Sequence, residues 1–456
     1  MSETSGKPAA GKLPSLTGRA LVAAPKAPAA ADRGPDNAGV TPALLRWFAT
    51  PQGQACRAAV LAELHQTRAL QVRQIAALRR SWTQPQLHAA IALVQSQLTA
   101  CQPRGKFCEL RRQDFWAVPE ALQQATSYAV ACHKARRFQM LGAESPIIDF
   151  CSGIGGDAIG FATSLPVLAV ERDAVRARLL WHNLQDARFT AIAIQADAET
   201  QFYNATKAAA FHIDPSRRQG PKRLIRWADM TPGPAALLKL ITTFDAGAIK
   251  LSPAVDFESL PPGHIELISD HGTTVQAVLW TGKLAAHFGP TLRTASVLSG
   301  DGPAWTITGH PRPCQSLAMP ERFIFEVDGA VTRAGLAAEL IGQIAANTPG
   351  STPLTAITID GGYLTAQSPL YHPALTAFET LDVLPFDQAR LQARLSAGGT
   401  SSAGASAIVE VKTRGGLDLN TDELQRRWQK IARCSCTVLI FHAASGGVMA
   451  AICNRL

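Results

Sequence analysis

The segment from Ile147 to Gly160 carries the clearest chemical signal in the chain, an acid followed by closely spaced glycines. Asp149 lies in a short apolar run, and Gly153, Gly155 and Gly156 come shortly after it. Because glycine lacks a Cβ atom, the chain can turn sharply here and bring its backbone amides close to a ligand. The pattern predicts a cradle for a nucleoside cofactor.

The carboxylate of Asp149 distinguishes between cofactors. Gly153, Gly155 and Ala158 also satisfy the dinucleotide pattern Gly-x-Gly-x-x-Gly/Ala, but a loop that holds pyrophosphate needs no acid, and a carboxylate repels phosphate. S-adenosylmethionine carries a sulfonium and an ammonium group and no phosphate. We therefore predict S-adenosylmethionine, with a dinucleotide or a purely structural turn as alternatives. We also expect a side chain at Gly155 to obstruct the cofactor.

Four more polar residues complete the predicted cofactor site. Cys151 and Asp157 belong to the glycine loop itself. Glu171 ends the next apolar run, about 20 residues after the glycines, where such folds place an acid that accepts the ribose hydroxyls. Asp197 follows a third run and could accept from the adenine amino group. Its alternative interpretation is a solvated turn residue.

A second polar cluster predicts the catalytic side of the site. Asp214 follows a strand-like run, and ligands of open α/β sheets bind beyond the carboxyl ends of the strands. Methyl transfer from a sulfonium needs an aligned acceptor and removal of a proton, and Asp214 is the candidate for holding the acceptor or taking the proton. Pro215 would fix the turn, while Arg217 and Arg218 would hold a phosphate or carbonyl oxygen. The alternative is an acid paired with its neighbouring arginines. We interpret His212 as a core residue.

The placement of cysteines disfavours one reaction. Methylation of a pyrimidine carbon usually needs a cysteine nucleophile, and no cysteine lies between Cys151 and Cys314. Direct transfer to a nitrogen or oxygen acceptor is therefore predicted. The nine cysteines are scattered without metal-ligand spacing, which favours a reducing cytoplasm and no bound metal.

The elements around these residues predict an α/β fold with a Rossmann-like core. Strand-like runs alternate with helical segments from 147 to about 300, which indicates a mostly parallel sheet of seven strand elements covered by helices on both faces. The last two runs should form an antiparallel hairpin across 270–272. The predicted strands are Ile147–Phe150, Val167–Val170, Ala191–Gln195, Ala210–Ile213, Ala246–Leu251, His264–Ser269 and Gln276–Trp280.

Composition and periodicity divide the 456-residue chain into four parts. Residues 1–40 predict a disordered basic tail, with a transit peptide as the alternative. Residues 41–139 predict a helical domain, including a capping box from Thr83 to Gln86 before an amphipathic helix. Residues 140–299 form the core. Residues 300–456 predict an α+β region with a flexible loop at 397–406, and its predicted strands are Phe323–Val327, Ala356–Ile359, Ile408–Lys412, Thr437–Phe441 and Val448–Cys453.

The charge balance suggests a polyanionic partner. The net charge is +9, and basic residues gather near the end of the chain. They are Lys412, Arg414, Arg426, Arg427, Lys430 and Arg433. Such a cluster can contact nucleic-acid phosphates or can be an ordinary solvated surface. No apolar run approaches the ~20 residues that cross a membrane, so we expect no membrane span.

The combined motifs resemble bacterial class I S-adenosylmethionine-dependent methyltransferases with a C-terminal THUMP-like domain. The matched segments are 122–126, 134–138, 149–157, 214–218, 250–253 and 410–415, and the resemblance covers nearly everything after residue 41. It implies a class I methyltransferase core, an RNA substrate, and a THUMP-like unit at about 380–456. The matched Gln124, Thr126, Lys412 and Arg414 are expected on the substrate side.

The cofactor region is also similar to trimethylguanosine synthase, which methylates an exocyclic guanine amine. Enzymes of that kind usually have proline and an aromatic residue where this chain has Ser216 and Arg217. This departure disfavours a guanine amine as acceptor. The leading hypothesis is an RNA methyltransferase acting on tRNA or rRNA. A non-catalytic protein that binds S-adenosylmethionine and RNA, and a methyltransferase for a small molecule or protein, are the alternatives.

Overall fold

The computed structural model describes residues 37–456 except 68, 111–113, 143–145, 202–209, 217, 220–221, 224, 301, 315–317, 348–352, 398–406, 415 and 444–445. Nearly all of the predicted basic tail, and of the predicted loop at 397–406, lies outside the described residues. Two large sheets, one small two-stranded sheet and the surrounding helices make up the described part.

The helices are α1 (Pro42–Phe48), α2 (Pro51–Thr67), α3 (Val72–Leu78), α4 (Gln84–Cys101), α5 (Pro119–Gln124), α6 (Tyr128–Phe138), α7 (Gly156–Ala162), α8 (Ala174–Asn183), α9 (Ala198–Gln201), α10 (Pro234–Thr243), α11 (Gly282–Phe288), α12 (Gly329–Ala334), α13 (Ala337–Asn347), α14 (Gln388–Ala397) and α15 (Thr421–Gln429). Local signals explain several helix starts. The predicted capping box at Thr83 is confirmed and opens α4. Asp173 caps α8 by accepting from the amides of Val175 and Arg176.

The strands are β1 (Ile147–Phe150), β2 (Val167–Glu171), β3 (Ala191–Gln195), β4 (Ala210–Ile213), β5 (Arg218–Gln219), β6 (Lys222–Arg223), β7 (Ala246–Leu251), β8 (His264–Asp270), β9 (Thr273–Thr281), β10 (Arg293–Leu298), β11 (Trp305–Gly309), β12 (Phe323–Val327), β13 (Thr355–Ala356), β14 (Tyr363–Ala366), β15 (Leu375–Pro385), β16 (Val409–Arg414), β17 (Cys436–His442) and β18 (Val448–Arg455). All seven strands predicted for the core form, with bounds that agree closely.

The first sheet has nine strands in the order β11-β10-β8-β9-β7-β4-β1-β2-β3. Strands β1, β2, β3, β4 and β7 are parallel, while β9 is antiparallel to both β7 and β8. The predicted hairpin is therefore confirmed. The predicted number of seven strands is wrong, because β10 and β11 extend the sheet beyond β8. The sheet thus continues to residue 309, past the predicted boundary at 299.

Both faces of this sheet are covered. Alternate residues of its strands, such as Ile147 and Ala248, pack with the N-terminal helices in one apolar cluster. Their neighbours Ile148 and Ile249 point the other way, into a cluster that also contains Phe325 of β12 and Leu340 of α13. The pleat therefore sends successive side chains to opposite faces. The helical N-terminal region and the C-terminal region pack on opposite sides of the sheet.

The C-terminal region contains a seven-stranded sheet in the order β13-β14-β12-β15-β18-β17-β16. Four of its five predicted strands form as expected. The predicted strand Ala356–Ile359 is wrong, because pairing stops at Ala356 and the side chain of Thr358 instead accepts from the amide of Tyr363. Strands β15 to β18, from the predicted unit at about 380–456, share one sheet with β12 to β14.

Within the ranges given above, no helix has both the length and the apolar character that crossing a membrane requires. Those same ranges contain no group of three or more His, Cys, Asp and Glu residues placed to hold a metal ion.

Candidate active site

The sheet brings the predicted polar residues to one edge. The parallel strands β1, β2, β4 and β7 all end there, and the β1–β4 pair lies at the point where the strand order reverses. The carboxyl ends of neighbouring parallel strands form a crevice at such a point. Asp149, Glu171, Asp214 and Lys250 lie at or beside these ends.

The glycine loop has one side open. Gly153 has φ +59°, and a Cβ atom built there would meet nothing within 4 Å. Gly156 packs tightly, because its Cβ would lie 2.8 Å from the amide nitrogen of Thr126. Gly155 has φ +96°, but its Cβ would point into the protein, 3.0 Å from Leu180 Cδ1. The expectation for Gly155 therefore needs correction, since a side chain there would disturb packing, and Gly153 is the position that faces open space.

Glu171 is tied to the glycine loop. Its Oε2 accepts from the amide of Gly153 at 2.8 Å, and its Oε1 accepts from the amide of Asp173 at the same distance. Burial raises the pKa of Glu171, while the two amide donors oppose that rise. The Glu171 carboxylate and the open glycine are thus adjacent.

Asp149 is buried, with 1% exposure, and its Oδ1 lies 2.6 Å from His212 Nδ1. His212 Nε2 is in turn 3.1 Å from the ammonium of Lys134 on α6. Burial raises the pKa of the Asp149 carboxyl, while the hydrogen bond from His212 opposes the rise. Lys134 of the helical N-terminal region is therefore linked through His212 to Asp149 of β1.

A second chain of contacts joins the loop to the catalytic candidate. Asp157 receives the ammonium of Lys134 at 2.5 Å and the hydroxyl of Thr126 at 2.7 Å. Lys250 donates to Thr126 Oγ1 at 2.8 Å and to Asp214 Oδ2 at 2.6 Å. Burial alone would raise the pKa of Asp157, but the charges of Lys134, His212 and Lys250 outweigh it and hold that pKa well below its usual range. The glycine loop and Asp214 therefore share one charged network.

A third lysine lies against this network. The ammonium of Lys106 donates to the carbonyls of Gln123 and Ala125, each at 2.6 Å, just before Thr126. Burial and the neighbouring charge of Lys250 lower the pKa of Lys106 to about 8, although Asp214 and Asp270 act in the opposite direction. Lys106 thus fixes the turn that carries Thr126.

Four other residues predicted for the site lie outside the charged network, and they are Cys151, Pro215, Gln124 and Asp197. Cys151 adopts a left-handed φ of +58° in the loop, and Pro215 is buried beside Asp214. Gln124 Oε1 accepts from Arg176 at 3.2 Å. Asp197 caps α9 and lies 3.7 Å from Arg172.

The side chains of two predicted basic residues fall outside what the structure describes, and two other basic residues lie in the C-terminal sheet. Arg217 and the side chain of Arg218 lie outside the described residues. Lys412 Nζ is 2.6 Å from Glu326 Oε2, and Arg414 is 3.2 Å from Glu326 Oε1. Both pairs lie within the C-terminal sheet, so the structure does not bring Lys412 and Arg414 into the network around Asp214.

Reasoning from the sequence missed three residues of the network, namely Lys106, Lys134 and Lys250. Lysine is almost never fully buried unless it is paired, so an isolated lysine in a sequence predicts a surface position. The signal in the sequence is that Lys134 and Lys250 lie in the segments 134–138 and 250–253, which carry the family resemblance. The folded structure places Lys134 of α6 against Asp157 of α7, and Lys250 of β7 against Asp214 at the end of the neighbouring β4.

The loop that follows Lys250 is held from the C-terminal region. Arg333 of α12 donates to the carbonyl of Pro253 at 2.7 Å and to that of Val255 at 2.6 Å. Its guanidinium also lies 4.3 Å from the ring centroid of Phe257. Arg333 therefore holds loop 252–257 in place directly after Lys250 of β7.

This arrangement defines a class of protein, an α/β enzyme with a nucleoside-cofactor loop at the switch point of its sheet. The chain is 31% identical over 368 residues to two uncharacterised S-adenosylmethionine-dependent methyltransferases of Mycobacterium tuberculosis, from strains CDC 1551 / Oshkosh and ATCC 25618 / H37Rv, with 78% of this chain and 94% of each relative covered. It belongs to this family and is an S-adenosylmethionine-dependent methyltransferase. No family model matches the chain.

A solved structure supports the fold over most of the chain. A protein of Porphyromonas gingivalis W83 that has been assigned as a methyltransferase superposes with a TM-score of 0.63 at 15% identity. The match covers 91% of this chain and 97% of that protein. The likeness therefore includes the regions on both sides of the first sheet.

The residues present fit S-adenosylmethionine. Gly153 leaves open space beside a buried acid, and Asp149 Oδ2 is buried without a hydrogen-bond partner among the described residues. A cationic ligand suits such an oxygen, whereas a phosphate does not. Asp149, Gly153 and Glu171 would hold the cofactor, and the bound cofactor supplies an electrophilic methyl group with a neutral leaving group.

We expect Gly153→Asn to weaken S-adenosylmethionine binding by at least about tenfold with little loss of stability. Asparagine tolerates a left-handed φ, so the fold should accept it, while the new side chain enters the open space beside Glu171. Calorimetric titration measures the affinity. Gly416→Asn is the matched control, because Gly416 has φ +69° and equally open surroundings in the C-terminal region. Equal affinities for both variants would contradict the cofactor assignment of Gly153.

Proposed function

We propose that this methyltransferase modifies RNA, tRNA or rRNA, by direct methyl transfer to a nitrogen or oxygen atom, with Asp214 holding the acceptor or removing its proton. The observation that carries the assignment is the Asp214–Lys250 pair beside the glycine loop. The side chain of Lys250 is 6% exposed while that of Asp214 is 28% exposed. The carboxylate is therefore anchored from inside and accessible from outside, as a group that meets an acceptor must be.

The surroundings of Cys151, in the glycine loop, support direct transfer. Burial, together with the carboxylates of Glu171, Asp214 and Asp149, raises the pKa of the Cys151 thiol well above its usual value. A protonated thiol is a poor nucleophile. A mechanism through a cysteine adduct on a pyrimidine carbon is therefore disfavoured, and the proton released by a nitrogen or oxygen acceptor passes to Asp214 or to solvent.

The RNA substrate is supported by charge. The chain has a net charge of +9, and Arg426, Arg427 and Lys430 are exposed along α15. Cations on one helix face can contact successive phosphates. We propose that the unit at about 380–456 is THUMP-like and docks RNA through this face. The scattered cysteines support a cytoplasmic location.

Methyl incorporation from tritiated S-adenosylmethionine tests the proposal. Total RNA from a deletion strain should accept label from the purified enzyme, whereas RNA from the parent strain should accept much less because its site is already modified. Nucleoside mass spectrometry of the two RNA pools should show one methylated nucleoside that the deletion strain lacks. Label in the protein or small-molecule fraction alone, with none in RNA, would refute the RNA substrate.

The α15 face is tested in parallel. Replacing Arg426, Arg427 and Lys430 by glutamine should weaken RNA binding and reduce its salt dependence, by a log–log slope of about 0.7 for each lost contact with single-stranded RNA. The control replaces the exposed Arg73, Arg79 and Arg80 of the N-terminal region in the same way. If both triple variants change the slope equally, RNA does not dock specifically on α15.

A further inference from the structure

Three buried side chains lie in a row beneath the glycine loop. Lys134 Nζ is 3.1 Å from His212 Nε2, and His212 Nδ1 is 2.6 Å from Asp149 Oδ1. The side chains of Lys134 and His212 are fully buried, and that of Asp149 is 1% exposed. The row runs from α6 through β4 to β1, so three separate segments contribute to it.

The row determines which nitrogen of His212 carries the proton. Burial lowers the pKa of Lys134, while Asp157, whose Oδ1 lies 2.5 Å from Lys134 Nζ, opposes that change and favours the ammonium form. An ammonium group can only donate, so His212 Nε2 must accept. With Nε2 as the acceptor, His212 Nδ1 donates to Asp149 Oδ1. Each member of the row thereby fixes the orientation of the next.

The other oxygen of Asp149 is free. Asp149 Oδ2 is buried and has no hydrogen-bond partner among the described residues. The backbone around it is fixed, since Ser152 Oγ donates to the Asp149 carbonyl at 2.7 Å and accepts from the amide of Val170 at 3.1 Å. A buried carboxylate oxygen without a partner is costly in free energy unless a ligand forms a hydrogen bond or an ion pair with it.

We propose that Lys134 and His212 are positioning residues that hold Asp149 so that its free oxygen receives a cationic group of S-adenosylmethionine. The inference rests on the proposed assignment of Asp149 to the cofactor site. Burial, desolvation and a single fixed tautomer would prepare this oxygen before the cofactor arrives. The N-terminal region would then contribute to cofactor affinity without touching the cofactor, through Lys134.

The proposal predicts a particular dependence of binding on pH. Asp149 is faced by His212 from β4, by Asp157 from α7, by Ser152 from the loop and, beyond His212, by Lys134 from α6. Burial raises the pKa of Asp149, Asp157 raises it further, and His212 and Ser152 lower it. Only the ionised carboxylate attracts a cation, so affinity should fall as pH falls through this pKa. Removing His212 should move that fall to higher pH.

Calorimetric titration of the full chain with S-adenosylmethionine, between about pH 5 and pH 9, tests this. We expect His212→Phe to bind at least about tenfold more weakly and to lose affinity at a higher pH than the parent. His212→Asn should retain much of the affinity, because its amide can donate from near the position of Nδ1. His212→Gln places its amide near Nε2 and should behave like the phenylalanine variant.

The control is His264→Phe. His264 is an equally buried histidine, on β8, whose ring nitrogens lie 3.1 Å from the Gly289 carbonyl and 2.9 Å from Thr294. The His264→Phe variant should bind the cofactor with the affinity and the pH dependence of the parent. The proposal is overturned if asparagine and glutamine at 212 bind alike, or if the pH profile of His212→Phe matches that of the parent. Unchanged affinity in Asp149→Asn would instead refute the assignment of Asp149 itself, so the two failures are distinguishable.

Discussion

Asp214→Asn should lower methyl transfer by about 10³-fold while leaving the affinity for S-adenosylmethionine within a few fold. A positioned acid or base typically contributes a factor of 10² to 10⁴, and an amide cannot take a proton. The cofactor should bind normally because Asp149, Gly153 and Glu171 are untouched. Single-turnover transfer to RNA from the deletion strain measures the first quantity, and calorimetry measures the second.

The pairing of Asp214 with Lys250 calls for a control. Replacing the carboxylate removes the nearest countercharge of a buried ammonium, which keeps Thr126 Oγ1 as an acceptor at 2.8 Å and Asp157 Oδ2 at 4.0 Å. Lys250→Met and the double variant separate loss of the base from loss of the pair. If transfer by Asp214→Asn equals that of the parent, Asp214 is structural. If the double variant regains parental activity, the defect of the single variant came from the uncompensated lysine.

Glu266→Ala should lower the free energy of unfolding by about 3–5 kcal/mol, because it leaves buried partners without their anion. Glu266 of β8 is 1% exposed and accepts from Trp280 Nε1 at 2.8 Å and from Ser296 Oγ at 2.5 Å. His133 Nε2 lies 2.7 Å away and Arg137 3.3 Å away. Urea unfolding at neutral pH measures the loss.

The same carboxylate should make stability depend on pH. Burial alone would raise the pKa of Glu266, but His133 and Arg137 outweigh it and hold the pKa well below its usual range. A lowered folded-state pKa stabilises the protein above the unfolded value, about 4.3, and that contribution is lost as pH falls. The difference between parent and Glu266→Ala should therefore shrink in acid. Glu258→Ala, at a surface residue 91% exposed, should change little at either pH.

The strands of the first sheet were predictable because their signals are local. Short apolar runs such as Ile147–Phe150 are bounded by turn residues, and their spacing left no room for a helix before β9. Strands β10 and β11 were not predicted, since pairing at the far edge of a sheet is a long-range property. In β15, residues such as Thr376 and Glu379 interrupt the apolar pattern, and most of its residues are only partly buried. That strand is defined by its neighbours β12 and β18.

The site was predictable only in part, for a similar reason. Asp149, the glycines and Glu171 lie close in sequence, and their types imply a function. Lys134, His212 and Lys250 acquire their roles from hydrogen bonds to residues 36 to 124 positions away in the chain, and no local pattern encodes such contacts. His212 was correctly placed in the core, yet its two hydrogen bonds were not foreseeable.

The hydrogen bonds from Arg333 to loop 252–257 limit the sequence changes that this protein can accept during evolution. The guanidinium belongs to the C-terminal region, whereas the two carbonyls that it binds follow directly after Lys250. A descendant that exchanged its C-terminal region for an unrelated one would lose these hydrogen bonds beside Lys250. The first sheet and the C-terminal region are therefore expected to be inherited together, and changes in α12 and in the loop should compensate for one another across lineages.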